Sequence, residues 1–306
     1  MAQPDYPPGM EFGLHLPNAG PFASREAILA VARHAEEAGY HSVWLFDHLF
    51  TPTQLDSKYP YSPDGSYAMR PEFPFYDPVA VMGVLAGATT RVRFGTRVLI
   101  ATYRDPVVLA KELGTIDALA GGRMILGVGA GWMAEEFASV RVPMEGRFAR
   151  MDEHIALMRQ AWQQGVSAFN GRLYSHVEAG FGPQPPQPGN TIPIIIGGHG
   201  DAALRRAAAY GDGWALSAAG DKLAVDPAGA MQERIDKLRR YCDEAGRDFD
   251  DLLLVGQCAI NAKPEQVEFQ ATLGVDICDV MSLGTAEQII ELSGQFQAEV
   301  ASEFRS

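Results

Sequence analysis

Short apolar runs alternate with stretches of helical period along almost the whole chain. "EFGLHL" (11–16), "SVWLFD" (42–47), "RVRFGTRVLI" (91–100) and "RMILGVG" (123–129) read as strands. The run from Ile192 to Ile196, broken only by Pro193, predicts a fully buried strand. "GWALS" (213–217), "LLLVGQCAI" (252–260) and "VDICDVM" (275–281) complete the set. A helix is expected over 24–38, with Ile28, Val31, Ala32 and Ala35 on its apolar face and Gly39 as its stop. Further helices are expected over 78–88 and 107–119, and a final amphipathic helix over 286–301. Eight strand candidates, each followed by a helix-compatible stretch, favour an α/β fold of the (β/α)8 TIM-barrel type.

No Pro/Gly/Ser-rich linker divides the chain, so a single barrel domain over 1–306 is expected. Two irregular insertions interrupt the pattern, 50–78, rich in Pro and Tyr, and 166–190, where Asn170-Gly171 signals a hairpin. Long segments of this kind are usually lids or binding surfaces, and both are expected at the strands' carboxyl-terminal end.

Composition narrows the function classes. The 306 residues are 47% hydrophobic, enough for a large core. The net charge of −13 argues against nucleic-acid or anionic-membrane partners. Cys242, Cys258 and Cys278 are scattered and odd in number, which fits a reducing, cytoplasmic compartment and no thiolate zinc site. "MAQPDYPPGM" lacks the basic and apolar regions of a signal peptide, and no run reaches membrane-spanning length.

The stretch "IPIIIGGHGDAALRRAA" (192–208) carries the sharpest chemical signal. Gly197, Gly198 and Gly200 make a tight turn into a helix that Asp201 can cap. Such a junction aims backbone N–H groups and the positive helix end at one spot, a site for a phosphate; the bland alternative is a plain turn. "GVGAGW" (127–132), with Asp152 downstream, comes near a dinucleotide fingerprint but lacks its spacing. Gly129 and Gly131 there either let backbone press on a flat ligand or serve packing. "FDH" sets Asp47 and His48 at a strand's end, where barrel side chains act as acids and bases, although a structural histidine is the alternative. The seven histidines show no H-x-x-x-H or H-E-x-x-H spacing, and neither G-x-S-x-G nor GK[ST] occurs. No metal site is therefore expected, and the charges of "RMDEHIALMRQAW" (150–162) are expected to form a solvated helix face.

Several segments together resemble the luciferase-like flavin and deazaflavin oxidoreductases, and more narrowly their coenzyme F420-dependent branch. They are "HLP" (15–17), "AEEAGYHSVWLFDHL" (35–49), "YPYSPDG" (59–65), the long block from Phe94 to Phe137, "RFARMDEHI" (147–155), "PIIIGG" (193–198) and "RRAAAYGDGW" (205–214). They occur in family order over about residues 10 to 220.

The resemblance implies a barrel with the cofactor at the strands' carboxyl ends. Gly197, Gly198 and His199 would hold its phosphate, with Ala130, Gly131 and Glu135 along the neighbouring edge. His48 would stand beside the reactive ring face with Asp47 in support. Arg97 and Val98 would form a bulge with a non-proline cis peptide behind the ring. Trp132 replaces a glutamate of the sugar-phosphate dehydrogenases, and Pro52 falls near a tryptophan of theirs, which disfavours a glucose-6-phosphate-type substrate. Tyr59, Tyr61, Met69 and Trp132 suggest an apolar, aromatic-lined substrate pocket under a lid instead.

The resemblance thus implies hydride transfer between coenzyme F420 and an organic small molecule, in a protein whose relatives commonly form homodimers. An FMN-dependent monooxygenase is the alternative within the superfamily, and a non-catalytic flavin- or deazaflavin-binding protein the alternative outside enzymes.

Overall fold

The computed structural model describes residues 9–216 and 227–304; Ser217 of the sixth expected strand and residues 1–8 lie outside them. In chain order the elements begin with β1 (Glu11–His15), α1 (Arg25–Glu37), β2 (Ser42–Leu45), α2 (Pro78–Ala88), β3 (Arg93–Ile100) and α3 (Pro106–Ala120). Next come β4 (Met124–Gly129), α4 (Ala134–Ser139), α5 (Arg147–Gln164), β5 (Val166–Asn170), β6 (Ser175–Gly180), β7 (Ile194–Gly197) and α6 (Asp201–Tyr210). The chain continues through β8 (Gly213–Ala215), α7 (Pro227–Ala245), β9 (Leu253–Ala259), α8 (Pro264–Thr272), β10 (Ile277–Met281) and α9 (Ala286–Phe296). Beyond α9 the expected last helix continues as a π-helical turn, Gln297–Ala301.

Eight parallel strands close in the order β1-β10-β9-β8-β7-β4-β3-β2, which is the (β/α)8 barrel expected from the alternation. Alternate strand residues serve two cores. Val43 and Leu45 pack outward with Ile28 and Val31 of α1, whereas Trp44 points inward. Inside, Trp44, Ile125, Ile195, Ala215, Leu253, Val255 and Ile277 form an apolar plug. Local signals set the helix starts. Ser24 caps α1 through Ala27 N, and Asp105 caps α3 ahead of Pro106.

Three expectations need correction. Asp201 does not cap α6; Gly200 holds the cap position without a side-chain bond, so the first amides of that helix stay open. The insertion 166–190 does contain the hairpin, β5 against β6, but it does not cover the strands' carboxyl ends. It lies along α5, where Glu153 accepts from Leu173 N and Tyr174 N and Gln160 donates to Ala168 O, before feeding the amino end of β7. Finally, α5 is not simply a solvated face. Asp152 pairs with Arg206 and Tyr210, and Arg159 with Asp212, because α6 and the start of β8 pack beside it.

Among the described residues, no helix is long and apolar enough to cross a membrane, and no cluster of three His, Cys, Asp or Glu could hold a metal ion.

Candidate active site

The carboxyl ends of β4 and β7 meet a floor made by Val98 of β3. The Arg97–Val98 peptide is cis, and the β3–β4 register shifts between Thr96 and Leu99. This bulge projects Val98 against its neighbours. A Cβ on Gly129 would lie 2.5 Å from Val98 Cγ2, and one on Gly197 would lie 2.9 Å from Val98 Cγ1. Those glycines are thus needed for packing the floor. Gly131, at φ 80°, turns the chain against Ile100 and Phe137, and its carbonyl accepts from Arg147 Nε. Ala130 is buried beside it, its carbonyl facing the Thr102 hydroxyl.

The arginine of the bulge points the other way. Arg97 is buried, donates to Val255 O and Leu216 O, and sits 3.8 Å from Asp279 Oδ2, which in turn meets His15 Nδ1 at 2.9 Å. Burial lowers the guanidinium's pKa, and Asp279 opposes that shift.

His48 and Asp47 leave β2 on opposite sides and do not share a partner. His48 Nδ1 lies 2.7 Å from Glu136 Oε2. Asp47 accepts from Ile100 N at 2.8 Å and from both terminal nitrogens of Arg104 at 2.8 and 3.0 Å. Burial raises the Asp47 carboxyl's pKa, and Arg104 pulls against it. Arg104 also donates to Asp77, the cap of α2, at 2.6 Å. Asp47 precedes the insertion 50–78 and Asp77 lies at its end, so one guanidinium ties the two ends of that loop together.

The clamped loop folds over the mouth. Tyr59, Tyr67 and Trp132 make mutual ring contacts at 5.2–5.3 Å, and Tyr61 reaches the ring of His199 at 5.4 Å. His48 stands 5.3 Å from Tyr67 and 5.7 Å from Trp132, ring centre to ring centre. Burial pushes the Tyr59 hydroxyl up to about 12. Met69 is half-buried in the same loop, outside these ring contacts. Glu135 binds the loop itself, accepting from Asp56 N at 2.8 Å and Ser57 N at 3.1 Å.

At the far side, β7 ends in Gly197 and Gly198, the latter at φ 114° with an added Cβ only 3.0 Å from Ala203 Cβ. The turn leads to the uncapped amino end of α6. Open amides, a favourable helix dipole and the absence of side chains suit a phosphoryl group.

The sequence did not single out Glu136, Tyr103, Tyr67 or Arg104. A signal for Glu136 existed: in "AEEF" the two glutamates lie on different faces of a short helix, and only one can share the buried side of Phe137.

A luciferase-like monooxygenase family model matches residues 10–299, and the chain belongs to that family. An uncharacterised protein of Mycobacterium tuberculosis is 37% identical over 219 residues, 72% of each chain. An F420-dependent glucose-6-phosphate dehydrogenase of Amycolatopsis mediterranei is 31% identical over 284 residues, covering 91% of this chain and 79% of the relative. Among solved structures, a monooxygenase of Streptomyces bottropensis superposes with a TM-score of 0.75 at 19% identity, over 96% and 99% of the two chains, a likeness of fold.

Proposed function

We propose that this protein is a single-domain, F420-dependent oxidoreductase that moves a hydride between the deazaflavin and an apolar or aromatic organic molecule. The observation that carries the reading is the arrangement around the Val98 floor: an open helix end at Gly197–His199 on one side and His48 on the other. The glycine turn, extended by the amides of α6, would hold the cofactor phosphate, and Val98 would back its ring. Bound there, the deazaflavin supplies the hydride acceptor or donor. Ala130 and Gly131 line the neighbouring edge. Glu135 contributes indirectly, by anchoring the lid.

His48 accepts or returns the proton that accompanies hydride transfer. Asp47 supports it from behind by locking the end of β2 to Arg104. Tyr59, Tyr61, Tyr67 and Trp132 exclude water and offer the substrate ring faces rather than charges, with Met69 at the margin. The same aromatic lining, with Trp132 in place of a glutamate, argues against a sugar phosphate.

The protein is also proposed to be a cytoplasmic homodimer. Its three cysteines are free thiols. The neighbouring helices α2 and α3 expose Val84, Val108 and Leu119, an apolar strip suited to a second copy of the chain.

Titration with coenzyme F420 and with FMN, followed by turnover assays with aromatic ketones and alcohols, tests the assignment. Tight F420 binding with substrate-dependent change of its absorbance is the expected result. Binding of FMN alone, with oxygen consumption, would move the protein to the monooxygenase alternative. A bound cofactor without any turnover, unaffected by His48→Ala, would make it a carrier.

A further inference from the structure

We propose that Glu136 sets the tautomer of His48, holding the ring proton on Nδ1 and presenting an unprotonated Nε2 to the barrel mouth. The inference deepens the reading of His48 as the proton carrier and rests on it for its consequence in turnover. The tautomer itself stands on geometry alone.

Glu136 is fully buried, and its carboxylate is surrounded by donors. Oε1 accepts from the backbone amides of Leu49 and of Phe50, the latter at 3.3 Å. Those two donors cannot reverse their role, because a peptide nitrogen always carries its hydrogen outward. Oε2 accepts from the Tyr103 hydroxyl at 2.9 Å and meets His48 Nδ1 at 2.7 Å. A carboxylate offers acceptor sites only, so Nδ1 is the donor. In a neutral imidazole that leaves Nε2, on the ring side away from Glu136, with a free lone pair. Glu136 is therefore a positioning residue acting through His48.

The backbone amides make the idea testable with one isosteric change. In Glu136→Gln the amide oxygen must stay against Leu49 N and Phe50 N, which accept no substitute donor. The –NH2 group then faces His48 Nδ1 and the Tyr103 oxygen. Tyr103 can rotate its hydroxyl and accept, but Nδ1 can accept only by giving up its hydrogen. The proton moves to Nε2, and the atom that faced the mouth as a base becomes a donor.

Long-range proton–nitrogen NMR of the 15N-labelled full-length protein, at mildly alkaline pH, reads the tautomer directly. His48 is assigned among the seven histidines by comparison with His48→Gln. The expected result is a protonated Nδ1 and a bare Nε2 in the wild type, inverted in Glu136→Gln. Turnover of the inverted variant should fall by about 100-fold or more while F420 affinity stays within about threefold, since only the proton-transfer group has been reversed. A wild-type His48 protonated on Nε2 or on both nitrogens overturns the proposal. So does a Glu136→Gln protein whose tautomer is unchanged. Should Glu136→Gln fail to fold, Tyr103→Phe serves beside the wild type. It removes one donor but leaves the His48–Glu136 contact, so Nδ1–H must persist, and its loss counts against Glu136. If His48→Ala turns over normally, the reading of His48 as proton carrier fails, whatever the tautomer proves to be.

Discussion

Arg104 grips Asp47 through both carboxylate oxygens, at 2.8 and 3.0 Å, and with the same guanidinium reaches Asp77. The pair joins the end of β2 to the start of α2 across the whole insertion 50–78. Asp47 is fully buried at its side chain, so its charge has no solvent to fall back on. Arg104→Met keeps the volume but strands that charge. Unfolding by urea should show a loss of about 3–5 kcal/mol, the scale for breaking a buried ion pair. A change within about 0.5 kcal/mol, the level of an ordinary surface substitution, would mean that the clamp is not structural.

His48→Ala removes the imidazole that Tyr67 and Trp132 flank. The expected outcome is a drop in kcat of roughly 100-fold or more, as for loss of a general acid–base, with F420 affinity close to that of the wild type. Steady-state kinetics together with a fluorescence titration separate the two effects. An unchanged kcat would remove His48 from the chemistry.

Gly198 adopts φ 114°, and a side chain there would also press on Ala203. Gly198→Val should strain the turn by about 1–3 kcal/mol, enough to weaken cofactor binding by about tenfold or more through loss of the amide cradle. Isothermal titration with F420 measures it. Full affinity in this variant would place the phosphate elsewhere.

His154 is buried on α5 against the Tyr174 hydroxyl, and burial lowers its pKa from 6.5 to about 4. As the pH falls below 6.5, the unfolded chain takes up a proton that the folded chain refuses. Stability from this group is therefore whole above about 6.5 and drains away between 6.5 and about 4, by about 2–3 kcal/mol. His154→Gln can keep a hydrogen bond to Tyr174 without titrating, so its stability should fall less over that window. Parallel pH curves for the two proteins, measured by denaturant unfolding, would contradict the depressed pKa.

Val84 is half exposed on α2 and apolar. If the α2–α3 face joins two copies, Val84→Arg buries an unpaired charge at the contact and should shift sedimentation toward the monomer without altering the fold. A wild-type protein that sediments as a monomer would end the dimer proposal.

The barrel was legible in the chain because each of its strands is buried on both faces. Double-sided burial writes itself locally as runs such as Ile192–Ile196 and "VDICDVM", and the intervening helices carry their own caps at Ser24 and Asp105. The glycine turn at Gly197–Gly198 and the adjacency of Asp47 and His48 are likewise local facts. Which carboxylate meets His48 is not. The partner is Glu136, 88 residues away; "AEEF" marks one of its two glutamates as sharing the buried side of Phe137, but nothing in the spacing of the chain says that this carboxylate meets His48. The same holds for Asp201, whose capping role fell to the geometry of Gly200, and for the hairpin after Asn170, which is correct as a turn yet packs along α5. Periodicity is a property of neighbours in sequence, so it determines the elements; pairings across the barrel depend on where those elements come to rest, and only the closed sheet decides them.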